Sequence, residues 1–288
     1  MSGAFPPGRS TSFFRYNRFL IMGEFLFRAA LILYIIGVIH SAAAFVTKRI
    51  ALVKVALAVV TAAFVFHTLF LVYRGVEKSF FPPVGLRDSL AFFAWAVTLC
   101  LLIAYARYRV RALGLFLLPL VTVLLLSTVF IKNSPIPEML RSSWVYFHST
   151  LLLLAYGMLF VAFVAAVLYL FQEKELKSKR LETFFDRLPS LQTLDELFQR
   201  FLLWGFFFMT AGLVVGTVWA EQQWEEGWHG DPKVIAASVT WGIYLILLYL
   251  RLTAGWRGKR AALMSLAGFL SILFTLLGVG YFGGLHKF

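Results

Sequence analysis

Five histidines carry most of the chemistry open to this sequence. His148 and His286 stand at the edges of apolar runs, His229 lies in a short polar loop, and His67 and His40 fall inside apolar runs. The loop around His229 is unusual. Its 15 residues from Trp219 to Lys233 hold three tryptophans (Trp219, Trp224, Trp228), four acids including Asp231, and one lysine. Neutral imidazole is a good axial ligand for haem iron, and two imidazoles close both axial positions. A porphyrin is a wide aromatic plate, so indole faces make a platform for it. His148 and His286 come from separate runs and can approach such a plate from opposite sides. The same residues also fit a plainer role, as histidine and tryptophan anchors at a membrane surface. Zinc is a weaker rival, because HxxH, HExxH and Cys/His ligand spacings are all missing. Cys100 is the single cysteine and is flanked by aliphatics, which excludes an internal disulfide and a CxxC redox pair.

The elements that position these residues must be membrane helices. The 288 residues are 60% hydrophobic and 14% charged, with a mean hydropathy of +0.81. A soluble domain carries about 25% charged residues, so this surplus of apolar surface has to face lipid. Eight runs are long enough for a crossing: 25–46, 51–73, 88–106, 112–131, 147–171, 198–219, 234–252 and 262–283. The expected fold is an all-α polytopic bundle, with residues 1–24 as a tail and 25–288 as one transmembrane domain. Pro119 would kink the fourth run, and Glu24 and Arg28 are spaced as an i,i+4 pair at the start of the first.

The chain has 27 Lys+Arg against 14 Asp+Glu. Of those 27 cations, 16 sit in or beside the connections after runs 1, 3, 5 and 7, while Arg9, Arg15 and Arg18 pull the other way. The positive-inside rule then puts those connections in the cytoplasm and both termini outside. Basicity of this kind reports orientation and contact with membrane lipid; no nucleic-acid partner is expected. His148, His229 and His286 share the outer side, as does the outer half of the run that contains His67. The segment 172–197 is a charged cytoplasmic connector whose residues 181–188 mix apolar and charged types as a surface-lying helix does.

Within the loop, Trp219, Ala220, Trp224, Trp228, Asp231, Pro232 and Lys233 match without a gap the WWD segment of the CcsA-type cytochrome c assembly proteins. The sequence resembles that family along most of its length. Leu188–Asp195 and Gly212–Trp219 are similar to the approach to the segment, and Ser143–His148 to a span that carries one external haem-ligand histidine. Gly284–His286 is similar to the second such ligand. Phe66–Leu69, Phe81–Val84 and Phe92–Trp95 look familial too.

The resemblance implies a membrane protein that moves haem b (iron protoporphyrin IX) to the outer face. There it would present haem for attachment to apocytochrome c as a component of a haem lyase, with a CcsB/ResB-type membrane partner. It implies His148 and His286 as axial ligands and Trp219, Trp224 and Trp228 as the platform. Lys233 would pair with a propionate, and Asp231 would orient the turn or a ligand histidine. No residue is assigned a catalytic role, because the cofactor and the client's thiols supply the reactive groups. The implied location is the bacterial cytoplasmic membrane or a thylakoid-type equivalent.

Four positions depart from the family pattern: Gly230 and Ala236 stand where tryptophans are expected, Val234 where a glutamate is, and Tyr249 near a span-7 histidine. His229 is an addition and offers a replacement ligand. His67 is a further candidate ligand, with an interhelical polar contact as the alternative for it and for His40. HemX-type proteins share the bundle and are linked to control of tetrapyrrole synthesis. They give the alternative reading, a membrane regulator or haem sensor without ligation activity.

Overall fold

The computed structural model describes residues 9–47, 49–77, 84–110, 112–132, 140–178, 188–224 and 228–278. Apolar residues recur all round these segments and glycines sit where helices touch, so the backbone meets its hydrogen-bonding needs within helices, as a lipid-facing chain must. The helices are α1 (Arg9–Thr47), α2 (Ile50–Glu77), α3 (Leu86–Tyr108), α4 (Leu113–Ser127), α5 (Ser143–Ser178), α6 (Leu191–Gln223), α7 (Pro232–Thr253) and α8 (Lys259–Leu273). A π turn, Phe274–Gly278, follows α8. Seven of these helices are long and apolar enough to cross a membrane, and the molecule is a polytopic helical bundle.

α4 is the eighth apolar helix and is shorter than its expected span of 112–131. Its 15 residues rise about 22 Å at 1.5 Å each, against a hydrocarbon core of about 30 Å. The end is set by hydroxyls. Ser127 Oγ and Thr128 Oγ1 donate to the carbonyls of Leu124 (2.7 Å) and Leu125 (2.6 Å), and the following amides close i–3 bonds that tighten the helix into a turn. The helix runs on through Pro119. At the other extreme, α1 begins at Arg9, so helix extends into residues expected as tail. Glu24 and Arg28 pair as their spacing predicts. Of the stretch read as a surface-lying helix, 181–188, all but Leu188 lies outside the described residues.

α5 and α6 form the central antiparallel pair. A Cβ on Gly205 would overlap Leu159, one on Gly212 would overlap Leu152, and one on Gly216 would overlap the ring of His148. These three glycines, spaced seven and four apart, let α6 lie close along α5 as small residues do at membrane helix seams. Gly157 turns a second small face to Ala96 of α3. The same logic joins α1 to α2, where Gly37 meets Val60 and Gly23 meets Tyr73.

At the end of the bundle opposite the Trp-rich loop, α7 is fastened to α6 by Arg251. Counted from sequence as one of the orienting cations, it is 7% exposed and spans 2.8 Å to Asp195 Oδ1. It also donates to the Asp195 carbonyl (3.1 Å) and to Gln199 Oε1, and lies 4.6 Å over the Phe198 ring. Removing one partner of such a pair strands the other's charge. Arg251→Leu is expected to cost about 3–5 kcal/mol, with most of it recovered in Arg251→Leu/Asp195→Leu. Thermal unfolding followed by size-exclusion chromatography reads this, and equal midpoints for wild type and Arg251→Leu would contradict it.

Candidate functional site

His148 lies in the second turn of α5, at the same end of the bundle as the Trp-rich loop, and its ring is seated against α6. Its Nδ1 is 2.8 Å from the Gly212 carbonyl oxygen. A carbonyl only accepts, so Nδ1 carries a proton, and in the neutral ring the lone pair is then on Nε2. The reach depends on Gly216. In a helix the side chain four residues on crowds a carbonyl of this kind, and here that position has none. Gly212 and Gly216 therefore act together, the first supplying the acceptor and the second the space. This is the second-partner arrangement that orients metal-binding histidines and raises their basicity.

The loop is built from two aromatic pairs. α6 ends as Trp224 takes an extended conformation (φ −120°, ψ 117°) and its N–H donates to Ala220 O at 2.9 Å. Trp219, 6% exposed, clusters with Val84, Leu140 and Val145, and meets Trp224 edge to face with centroids 5.0 Å apart. Val145 precedes His148 by one turn of α5, and Gly216 precedes Trp219 by one turn of α6. The pair is thereby held beside the imidazole. The buried Nε1–H of Trp219 has no hydrogen-bond partner among the described residues.

Trp228 belongs to a single 3-10 turn, Trp228–Gly230, and stacks on His229 with centroids 3.8 Å apart and planes 27° apart. It is buried, and its Nε1 donates to Glu221 Oε2 (3.0 Å), which ties the turn back to α6. His229 is exposed on the far side of the stack. Asp231 is buried as the N-cap of α7: its N–H donates to Trp228 O (3.1 Å), its Oδ1 accepts from Lys233 N (2.9 Å), and Pro232 takes the first helical position. Asp231 thus sets the turn that joins the indoles to α7. Lys233 is half-buried in the first turn of that helix.

Three other histidines were named from the sequence. His286 lies outside the described residues, eight beyond Gly278. The π turn before it is fixed by Thr275, whose hydroxyl lies 3.1 Å from Thr240 Oγ1 of α7, while Ser271 Oγ lies 2.6 Å from the same atom. His67 is fully buried on α2 between α1 and α3, away from the α5–α6 seam. Its Nδ1 is 3.2 Å from the Tyr34 hydroxyl, and its Nε2 has no hydrogen-bond partner among the described residues. His40 Nδ1 reaches the Ile36 carbonyl of its own helix at 2.9 Å. Tyr249, 62% exposed, points away from the bundle interior. Glu221 was not singled out from the sequence, and Gly212 and Gly216 entered only within the segment leading to the Trp-rich loop, although their spacing on a helix could have marked their role.

Comparison with known proteins places this geometry in context. The family described as Cytochrome C assembly protein matches residues 22–286. The chain belongs to that family. Among curated relatives, the cytochrome c biogenesis protein CcsA of Chlamydomonas reinhardtii is 32% identical over 232 residues, covering 76% of this chain and 64% of the relative. The protein of the same name from Prochlorococcus marinus (strain MIT 9301) is 30% identical over 247 residues, covering 77% and 80%. Of solved structures, a cytochrome c heme lyase, CcmF, superposes with a TM-score of 0.61 at 17% identity, over 97% of this chain. The chain spans 52% of that lyase chain and 64% of the algal relative, so it shares the lyase's fold over about half the lyase's length. Family membership and the seven apolar helices together make this an integral membrane protein.

Proposed function

We propose that this chain handles haem in cytochrome c biogenesis, holding haem b as cargo at the outer membrane face and presenting it to apocytochrome c. The observation that carries the reading is His148 on the Gly212 carbonyl in the space left by Gly216. That arrangement fixes the orientation of an imidazole at the loop end of the bundle through its Nδ1, as the partner of a metal-binding histidine does. The unsatisfied Trp219 Nε1–H supplies a buried donor beside it. The membrane is the bacterial cytoplasmic membrane or its thylakoid-type equivalent, and a CcsB/ResB-type protein completes the machinery.

In this reading His286 is the second axial ligand, and His229, stacked on Trp228, is a replacement ligand on the exposed side. Trp219, Trp224 and Trp228 form the platform, Asp231 fixes its turn, and Lys233 pairs with a propionate. His67 enters as an interhelical contact to Tyr34. The haem vinyl groups and the client's thiols supply the bond-forming chemistry, while these residues bind, orient and shield.

Deleting the gene tests this. Holo-cytochrome c is expected to disappear while haem b proteins persist. A second reading, a HemX-like regulator of tetrapyrrole synthesis, is favoured by Gly230 in the loop, by Val234 and Ala236 at the start of α7, and by the outward-facing Tyr249. Unchanged holo-cytochrome c with altered tetrapyrrole precursor levels would overturn the first reading in favour of the second.

A further inference from the structure

At the end of the bundle opposite the Trp-rich loop, α1, α2, α3 and α4 surround a cavity of about 290 Å³. Nearer the loop end polar ties join α2 to α3, where Trp95 Nε1 donates to Thr68 Oγ1 (2.8 Å) and Arg74 pairs with Asp88 (3.1 Å). Farther along, Ala56 of α2 and Gly114 of α4 line a space that no side chain fills. Its wall is mostly aliphatic, with Val53, Val60, Leu101 and Leu118, and only Ser41 and Tyr105 bring hydroxyls to it.

A slot with this lining offers water few hydrogen-bonding partners. This one is about twice the ~150 Å³ of an engineered cavity that stays dry and takes up benzene. At about 30 Å³ for each water-sized group, it has room for on the order of ten methylenes. Exposed cations flank its lining in sequence: Arg49 and Lys54 beside Val53, and Arg107 and Arg109 between Tyr105 and Val110. Arg109 is held in the left-handed conformation (φ 54°) that caps α3. No acidic residue occurs between Ala29 and Val76, or between Ser89 and Pro137, so none accompanies these cations along their own stretches of chain.

We propose that this cavity seats one acyl chain of an anionic phospholipid, with the headgroup held by Arg49, Lys54, Arg107 and Arg109. The site is independent of the haem reading. Several cations beside an apolar slot select an anionic over a zwitterionic headgroup, which retains the chain at a fixed place in the bundle.

The test uses the full chain in phosphatidylcholine nanodiscs doped with phosphatidylglycerol that carries a diazirine on its acyl chain. Crosslinks are expected on the peptides holding Val53–Val60 and Leu101–Tyr105. Unlabelled phosphatidylglycerol should suppress them about tenfold more effectively than added phosphatidylcholine. Ala56→Phe should abolish these crosslinks while sparing those on the exposed face of α1 at Ile32, Ile35 and Ile39. Uniform labelling of lipid-facing residues, equal competition by phosphatidylcholine, or competition by iron protoporphyrin instead would each overturn the proposal. The wild-type competition decides the matter if Ala56→Phe does not fold.

Discussion

Replacing His148 by alanine is expected to weaken haem binding by the detergent-purified protein by about 100-fold, equivalent to ~2.8 kcal/mol. The Soret band should shift as the iron loses one axial imidazole, and His148→Ala/His286→Ala should remove it. The size of the effect follows from how the ring is held. A ligand that hangs free loses entropy on binding, whereas His148 is already oriented by the Gly212 carbonyl and by its fit against α6. The substitution leaves the α5–α6 glycine contacts at Gly205 and Gly212 untouched, so the bundle should persist. Optical titration with haem, checked by circular dichroism for helix content, makes the comparison. A double variant with the wild-type spectrum and affinity would remove both histidines from the site.

A subtler change, Gly216→Ala, should cost nearly as much while leaving every ligand in place. In an ordinary helix interior this substitution adds about 0.8–1.0 kcal/mol of stability through helix propensity. Here the new methyl overlaps the His148 ring, so the imidazole has to leave the Gly212 carbonyl. Loss of a partner that orients a metal ligand reduces affinity by about 10–100-fold. The expected result is therefore a protein that binds haem at least about tenfold less tightly, its stability set by the gain in helix propensity against the displaced ring and its lost hydrogen bond. Midpoints from thermal unfolding and haem titration on the same preparation separate the two effects. Wild-type affinity in Gly216→Ala would show that Gly216 does not position the ligand.

Much of the bundle is legible in the sequence because lipid imposes one simple requirement, a long apolar run for each crossing. That requirement says little about where a helix stops. Ser127 and Thr128 are unremarkable in a hydropathy profile, yet their hydroxyls bond back to the preceding turn and end α4 early. Arg251 illustrates another gap. As a basic residue beside a connection it reads as an orienting charge, and only the fold reveals Asp195 of a different helix against it. At the candidate site, residue types signalled the chemistry but not the division of labour. Three indoles suggest one shelf, and the fold shows how it is pinned: Trp219 meets Trp224 edge to face, while Trp228 stacks on His229. Asp231, open from sequence to either of two orienting roles, caps α7. The choice depends on which carbonyls and amides face each side chain, information that a linear pattern does not contain.

The early end of α4 also acts on the surrounding lipid. A rod about 8 Å too short for the hydrocarbon slab cannot stay flush with both surfaces. The turn Thr128–Phe130, with Val129 and Phe130 exposed, covers part of that height, and phospholipids dipping toward it meet the rest at a modest cost for each ångström of mismatch. Exposed Lys132, a few residues beyond that end, is placed to meet their headgroups and lower the cost. A dimple of this kind would favour shorter-chained lipids as neighbours along this flank of the protein.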